Sequence, residues 1–250
     1  MITLKSSREI EIMARAGQIV AGTLALMREI VRPGMTTEDL DREAEAYIRS
    51  HPGAVPSFKG LYGFPKTLCT SIDSEIVHGI PSTRRVLAEG SIVSVDVGVQ
   101  LEGLHADSAT TIAVGHVRPE AERLMEVTRQ SLAAAITQAR VGNHVGDIGH
   151  AVQQLAEGAG FGVVRELVGH GIGTRFHEEP QVPNYGSPRR GPRLLEGMTL
   201  AIEPMITAGN PATRTLNDKW TVVTADGSLS AHFEHTVAIT ANGPRILTAA

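Results

Sequence analysis

Apolar residues near the start of the chain recur at three- and four-residue steps, which is the spacing of one face of an amphipathic helix. The segment Ser6-Ser-Arg-Glu9 precedes them and has the spacing of a capping box, so it predicts where this helix begins. The apolar positions of the face are Ile10, Met13, Gly17, Val20, Leu24, Met27 and Val31. A second long helix is predicted over about 119 to 140, with Pro119 as its first residue.

The two helices belong to an internal repeat in which similar residues recur at an offset of 108 positions. The matching segments are Thr23-Leu-Ala with Ser131-Leu-Ala, Arg32-Pro-Gly with Arg140-Val-Gly, and Asp39-Leu40 with Asp147-Ile148. Each copy is predicted to hold a long helix, a break at glycine, a shorter helix and then strands. Such a duplication predicts an α+β domain with central strands, outer helices and a site where the halves meet. Chance similarity at eight positions is the alternative.

Two runs rich in β-branched residues predict a β-hairpin in the middle of the chain. They cover 91–99 and 104–114, with a turn predicted at 100–103. Each run holds one aspartate among apolar neighbours instead of in the turn. This placement weakens the alternative of two surface aspartates.

Asp96 and Asp107 are predicted to oppose each other directly, if the turn is centred between Leu101 and Glu102. The Cβ atoms of opposed residues lie about 4.5–5.5 Å apart, and two like charges at that distance are destabilising. A cation would neutralise them. The hairpin therefore predicts a cation site on one face of the strands.

A glycine-rich segment, 168–180, contains two histidines, His170 and His177. Its three glycines let the backbone approach a ligand closely and leave room for an imidazole to project. A single histidine on an apolar face is more often a core residue. Two histidines framing a glycine-rich turn favour a functional site.

Glu203 and Glu234 each lie inside an apolar run that resembles a strand. Unpaired carboxylates are rarely buried, so these glutamates need a partner. Four carboxylates and one neutral histidine suit manganese, iron, cobalt or zinc in five- or six-coordinate geometry, and they do not suit a closed cysteine-type zinc site. The candidate ligands are Asp96, Asp107, His170, Glu203 and Glu234.

Composition describes an ordinary soluble chain of 250 residues, 42% apolar and 20% charged, with a net charge of −4. This charge gives no general reason to expect nucleic-acid or membrane binding. No signal-like apolar start and no uninterrupted run of eighteen apolar residues occur, so we expect a cytoplasmic protein with no membrane partner.

The only cysteine, Cys69, excludes an intrachain disulfide. We interpret it as a small buried apolar residue, with a nucleophile as the disfavoured alternative. The Pro/Gly/Arg-rich segment 182–193 predicts a solvated loop. Transient contact of its arginines with ribosomal RNA is the alternative, and sequence-specific nucleic-acid binding is not expected because no aromatic residues interleave them.

The motifs together resemble those of the pita-bread metallopeptidases. They are two aspartates eleven positions apart, then Gly-His-Gly-Ile-Gly, Ile-Glu-Pro-Met and Glu-His-Thr. Within that group, the segments 64–72 and 78–81 closely resemble type I methionine aminopeptidases. The likeness covers nearly the whole chain. It implies the pita-bread fold in a single catalytic domain, 1–250, with halves at about 1–115 and 116–250.

The resemblance also implies two divalent metal ions per chain, which would be cobalt, manganese, iron or zinc. By this resemblance Asp96 chelates one ion, Asp107 and Glu234 bridge both, and His170 and Glu203 complete the other. The sequence does not select the metal, because the same donors accept several ions.

The resemblance further places His78 and His177 in contact with the substrate without binding metal. We expect His177 to donate to the developing oxyanion, His78 to contact the leaving nitrogen, and Glu203 to transfer a proton. A plain turn residue is the alternative for His78.

Apolar residues match the family's pocket for a methionine side chain, and they are Phe58, Leu61, Phe64, Cys69, Phe176 and Trp220. Plain core packing is the alternative. The family pattern has a cysteine and two tyrosines at the first three positions, so the pocket of this chain differs there.

The implied activity is removal of the N-terminal methionine from peptides and nascent polypeptides by a monomeric enzyme, when the second residue is small and uncharged. A prolidase or proline-specific aminopeptidase is one rival, but those enzymes typically carry an extra N-terminal domain. A metal-free pita-bread module that binds peptides or nucleic acid is the second rival, and it would be expected to lack metal ligands.

Overall fold

A computed structural model of the chain describes residues 2–249. Each of two long helices is followed by a shorter one. The first pair is α1 Ser7–Ile30 and α2 Thr37–Arg49, and the second is α3 Pro119–Gln138 and α4 Val145–Gly158. Ser6 and Glu9 form the predicted capping box of α1, and Pro119 is the first residue of α3. The capping signals therefore predicted both starts correctly.

Antiparallel strands make up the rest of the regular structure. They are β1 Val55–Pro56, β2 Leu68–Ile72, β3 Glu75–Val77, β4 Ile92–Leu101, β5 Leu104–Ala113, β6 Gly162–Val163, β7 Gly169–Gly171, β8 Glu178–Val182, β9 Thr199–Ile202, β10 Met205–Thr207, β11 Thr213–Thr215, β12 Val222–Thr224, β13 Ser230–His232, β14 His235–Thr240 and β15 Gly243–Ile246. A 3₁₀ turn covers Leu61–Gly63.

Two sheets carry the site. In the first, β4 pairs with β5 on one edge and with β1 and β2 on the other; the second has the order β15-β14-β9-β7-β8. Hydrogen bonds join them where β5 meets β14: the backbone N–H of Asp107 donates to Thr236 Oγ1 (3.0 Å), and the N–H of Glu234 donates to the carbonyl of Ala109 (3.0 Å). The smaller sheets are β13-β10-β6 and β11-β12-β3.

The β4–β5 hairpin has a different register from the predicted one. Asp96 pairs with Ala109, and Asp107 pairs with Gly98, so the two aspartates are diagonal neighbours. The turn consists of Glu102 and Gly103 alone, both with positive φ (49° and 81°), which is the tight two-residue form that suits hairpin twist. The predicted register differs from the observed one by two residues. Because side chains alternate between faces with a period of two, both aspartates still project from the same face of the sheet.

Each helix pair packs its own apolar core. The face of α1, with Val20 and Met27 fully buried, packs with α2 against the β4–β5 hairpin. The second pair, α3 and α4, packs against β9, β13 and neighbouring strands around Leu124 and Ile148. The candidate site lies where the strands of the two halves meet.

The repeat offset recurs in the structure, since α2 begins at Thr37 and α4 at Val145. The residues before these helices, Thr36 and His144, also correspond. The backbone N–H of each donates a hydrogen bond to the side chain of an aspartate three residues further on. These paired ends are consistent with two similar helix–helix–sheet units.

Helix α1 is long and apolar enough to cross a membrane by length and composition alone. Its apolar face is nevertheless buried against β4, β5 and α2. The helix is therefore accounted for as a core helix of this fold.

Candidate metal centre

Strands and their ends position the candidate ligands. Asp96 lies in β4, Asp107 in β5 and His170 in β7, while Glu203 directly follows β9 and Glu234 directly precedes β14. Since the ligands come from both sheets, the centre exists only where the two halves join.

The buried donor atoms converge. One donor atom from each of Asp107, His170 and Glu234 lies within 4.8 Å of the others. His170 Nε2 is 3.6 Å from Asp107 Oδ2 and 3.7 Å from Glu203 Oε1. Asp96 lines the same cavity. The structure thus brings together all five residues that the sequence indicated.

Neighbouring groups orient two of these side chains. The Nδ1 atom of His170 lies 2.8 Å from the carbonyl oxygen of Gly171, so Nδ1 carries the proton that is donated and Nε2 keeps a free lone pair facing the carboxylates. The hydroxyl of Thr236 lies 2.9 Å from Asp107 Oδ1. Both arrangements are typical of the residues that hold metal ligands in place.

Burial strongly disfavours the ionised form of the four carboxyl groups. It raises the pKa of Asp107 to about 6. Burial, together with the charges of neighbouring carboxylates, raises the pKa values of Asp96, Glu203 and Glu234 well above their usual range. Burial also lowers the pKa of His170 to about 4, so this imidazole is neutral at pH 7. Without cations the four carboxylates could not all be ionised at neutral pH.

The donor set fits divalent metal. Oδ1 of Asp96 and Nε2 of His232 are buried without a hydrogen-bond partner among the described residues. Buried polar atoms normally have partners, so an unpaired carboxylate oxygen of Asp96 within a carboxylate cluster points to a cation. Carboxylate oxygens with one neutral imidazole suit a divalent ion.

An apolar cavity of about 130 Å³ adjoins the centre. Its lining contains every site residue predicted from the sequence, with Tyr62 in addition: Phe58, Leu61, Tyr62, Phe64, Cys69, His78, Asp96, Asp107, His170, Phe176, His177, Glu203, Trp220 and Glu234.

Aromatic contacts shape the apolar side of the cavity. The rings of Phe58 and Phe176 meet edge to face at 5.3 Å, and those of Phe64 and Trp220 at 5.1 Å. Cys69 is buried, and burial raises the pKa of its thiol, so it remains a thiol at neutral pH. This state suits a small apolar wall residue and not a nucleophile.

Two histidines stand at the border between the cavity and the donor cluster. His78 adopts a left-handed backbone conformation (φ 60°), which is uncommon outside glycine and occurs often at functional sites. His177 lies beside His170, with ring centroids 4.4 Å apart. Burial lowers the pKa of each, His78 and His177, to about 4. Each can therefore donate a hydrogen bond as a neutral imidazole at pH 7.

Three residues of the site were not indicated by the sequence patterns. Tyr62, 72% exposed, stacks on the His177 ring at 5.8 Å. His232 Nε2 lies 3.7 Å from Glu203 Oε2, and Thr236 contacts Asp107. Only His232 had a usable signal, because it lies two residues before Glu234 in the same apolar run.

Fold and donor cluster define a metallopeptidase, and the sequence matches Metallopeptidase family M24 over residues 11–241. The methionine aminopeptidase of Clostridium perfringens is 54% identical over 99% of both chains. The crystal structure of methionine aminopeptidase from Thermotoga maritima has a TM-score of 0.98 and 44% identity, with 100% of both chains covered. The chain belongs to the type I methionine aminopeptidases of family M24, which have the pita-bread fold.

A more distant likeness concerns the fold alone. The prolidase of Pyrococcus horikoshii has a TM-score of 0.76 at 23% identity, and 98% of this chain matches 63% of that one. The shared fold is therefore part of a longer chain in that protein.

Proposed function

We propose that this chain hydrolyses the first peptide bond of peptides and nascent proteins that begin with methionine, when the second residue is small and uncharged. One observation carries the proposal: an apolar, aromatic-walled cavity opens directly onto a buried cluster of carboxylates and imidazole. An apolar side chain can fill such a cavity while its amine and carbonyl reach the polar end.

Two divalent ions per chain are proposed. Asp96, Asp107, His170, Glu203 and Glu234 would hold them, and Asp107 and Glu234 would serve both. Four carboxylates carry four negative charges when ionised, and two divalent cations would balance them. Bound at this place, such a pair supplies a water of lowered pKa and polarises a carbonyl. Cobalt, manganese, iron and zinc all suit the donors.

The chain's own residues have separate roles in the proposed reaction. His177, neutral and at the cavity border, donates a hydrogen bond to the carbonyl oxygen as negative charge develops there. Glu203, 14% exposed, holds the proton that is passed to the leaving nitrogen. His78 contacts that nitrogen. Only a chain terminus offers a free amine to the carboxylates, which limits the reaction to the first residue.

Phe58, Leu61, Phe64, Cys69, Phe176 and Trp220 are proposed to bind the methionine side chain. Their apolar surfaces favour a long, flexible thioether over a charged side chain. Tyr62 lies over His177 at the open end of the cavity. This crowding is the physical reason to expect a small second residue.

We further propose that 1–250 is one catalytic domain with similar halves, about 1–115 and 116–250, acting as a cytoplasmic monomer. Arg189, Arg190 and Arg193 are exposed in the 182–193 loop. Transient ribosome contact through them is a proposal, with a solvated loop as the simpler alternative.

Peptide cleavage by the metal-loaded protein tests the function. Free methionine should be released from Met-Ala-Ser, and kcat/KM for Met-Lys-Ser should be at least 100-fold lower, about 2.7 kcal/mol of transition-state stabilisation. Ala-Pro, a substrate of the prolidase type, should remain intact. Equal rates for Met-Ala-Ser and Met-Lys-Ser would refute the second-residue preference, and cleavage of Ala-Pro alone would favour the rival enzyme.

A further inference from the structure

A buried ion pair lies behind the substrate-facing histidine. Lys5 Nζ is 2.5 Å from Glu178 Oε2, and the two side chains are only 3% and 2% exposed. The partners are 173 residues apart in sequence. Charged side chains are rarely buried unless they are paired, and breaking such a pair leaves one uncompensated charge.

Glu178 closes the turn that carries two cavity residues. Its other oxygen, Oε1, accepts a hydrogen bond from the backbone N–H of Arg175 (3.1 Å) and lies 3.4 Å from the hydroxyl of Thr174. Phe176 and His177 lie between these donors and Glu178. Burial raises the pKa of Glu178, but the hydrogen bonds from Lys5 and Arg175 outweigh it, so the pKa is lowered and the carboxylate is ionised.

Lys5 is fixed on its own side. Its backbone N–H donates to the carbonyl of Gly197 (2.7 Å), and the next residue, Ser6, caps helix α1. The lysine stem passes against Gly173, where an added Cβ would lie 2.3 Å from Lys5 Cε. The start of α1 is thereby tied to the base of the 174–178 turn.

His177 is the last residue before β8 and Glu178 is the first residue of that strand, so a single stretch of backbone holds both side chains. His177 lines the cavity while Glu178 is held in the interior behind it. A shift of the Glu178 carboxylate therefore moves the backbone of His177. A displacement of about 1 Å in a catalytic group can reduce a rate about 100-fold.

We propose that the Lys5–Glu178 ion pair positions His177 for its hydrogen bond to the substrate carbonyl. Among the described residues the pair has no hydrogen bond to a candidate metal ligand, and it acts through the 174–178 turn. The inference rests on the proposed function, because it assigns His177 a role in peptide hydrolysis.

The test uses Lys5→Met and Glu178→Gln in the full metal-loaded protein with Met-Ala-Ser as substrate. Each substitution is expected to lower kcat at least 10-fold, with KM changed less than three-fold and bound metal unchanged. In a His177→Ala background, Lys5→Met should lower kcat less than three-fold further, because the residue through which it acts is already missing. A general structural defect would give the same fold loss in both backgrounds and would overturn the proposal.

The double variant Lys5→Met/Glu178→Gln covers the case in which a single variant does not fold. It removes both charges, so no uncompensated charge stays buried. Its kcat should match that of the single variants, because the pair acts as one unit. The proposal is wrong if the folded double variant keeps wild-type kcat.

Arg15→Met is the matched control, since it breaks an exposed ion pair with Glu102 whose side chains are 57% and 49% exposed. Its kcat should stay within two-fold of wild type. Wild-type protein that does not cleave Met-Ala-Ser would refute the proposed function. Wild-type cleavage with undiminished Lys5→Met activity would refute this inference alone.

Discussion

Asp107 has the densest set of interactions in the candidate centre. It is 2% exposed, contacts Thr236, and lies 3.6 Å from His170 Nε2. In the proposed centre this carboxylate would serve both ions, which requires it to be charged. An amide of the same shape keeps the packing but removes one of four negative charges.

Asp107→Asn should therefore nearly abolish Met-Ala-Ser turnover and reduce the metal bound per chain, as measured by kinetics and elemental analysis. The control is Glu102→Gln in the turn of the same hairpin, where an exposed carboxylate should be dispensable. An Asp107→Asn protein with wild-type turnover and metal content would show that the bridging assignment is wrong.

His177 lines the cavity beside the donor cluster, and we propose that it contacts the substrate without binding metal. Its ring stacks against Tyr62, and the residue is exposed at the cavity mouth. His177→Ala should bind metal normally and lose roughly 10²–10³ in kcat, the usual cost of removing one oxyanion donor. Metal content and kcat are the two readouts. A large loss of metal would instead make His177 a ligand.

Local sequence signals correctly predicted where two of the helices begin. The Ser6–Glu9 capping box and Pro119 predicted the starts of α1 and α3 because capping depends on neighbouring residues. The predicted register of the β4–β5 hairpin was wrong, because the turn is centred between Glu102 and Gly103 and not between Leu101 and Glu102. Glu102 adopts a positive φ, which its residue type does not predict.

Contacts between distant elements were beyond the sequence patterns. Thr236 meets Asp107 across 129 residues, and Lys5 meets Glu178 across 173. Neither pair has a spacing or motif that identifies its partner, because sheet pairing brings them together. The five candidate ligands were recognisable individually, whereas the residues that orient them were not.

Gly98 shows how the hairpin shapes the cavity. It pairs with Asp107, and an added Cβ would lie 2.8 Å from Phe176 and 3.0 Å from Phe58. Both rings line the cavity and would have to shift, as would the Ser57 side chain, whose Cβ would be 2.9 Å away. Gly98→Ala should therefore raise KM for Met-Ala-Ser about 10-fold or more without loss of metal, since overpacking typically costs about 1–3 kcal/mol.

Gly158→Ala is the matched control, because an added Cβ at the end of α4 has no heavy atom within 4 Å. Its kinetics should be unchanged. Unaltered KM in Gly98→Ala would mean that Phe58 and Phe176 do not define the methionine pocket.

In the whole molecule, the two halves of the fold bring four carboxyl groups together in one buried site. Burial raises the pKa of Asp107 to about 6 and the pKa values of Asp96, Glu203 and Glu234 further above their usual range. In the metal-free fold these groups hold protons that the unfolded chain releases. Their contribution to stability is therefore present below about pH 4 and is lost as pH rises through the raised pKa values.

Metal binding requires the ionised carboxylates, so it should release protons. The gain in melting temperature on adding Mn²⁺ should grow between about pH 5 and pH 7.5. His170 does not oppose this trend, because its pKa of about 4 keeps it neutral there. Calorimetry in two buffers of different ionisation enthalpy measures the protons released. A gain in melting temperature that does not depend on pH, or metal binding without proton release, would contradict the protonation of these carboxyl groups in the metal-free protein.

Titration of metal-free protein with Mn²⁺, with methionine release from Met-Ala-Ser measured at each addition, tests whether the donor cluster is a two-metal catalytic centre. There should be no turnover without metal, and the rate should rise to a plateau at two equivalents per chain. Full turnover by verified metal-free protein, or a chain that takes up no divalent ion, would contradict a two-metal catalytic centre.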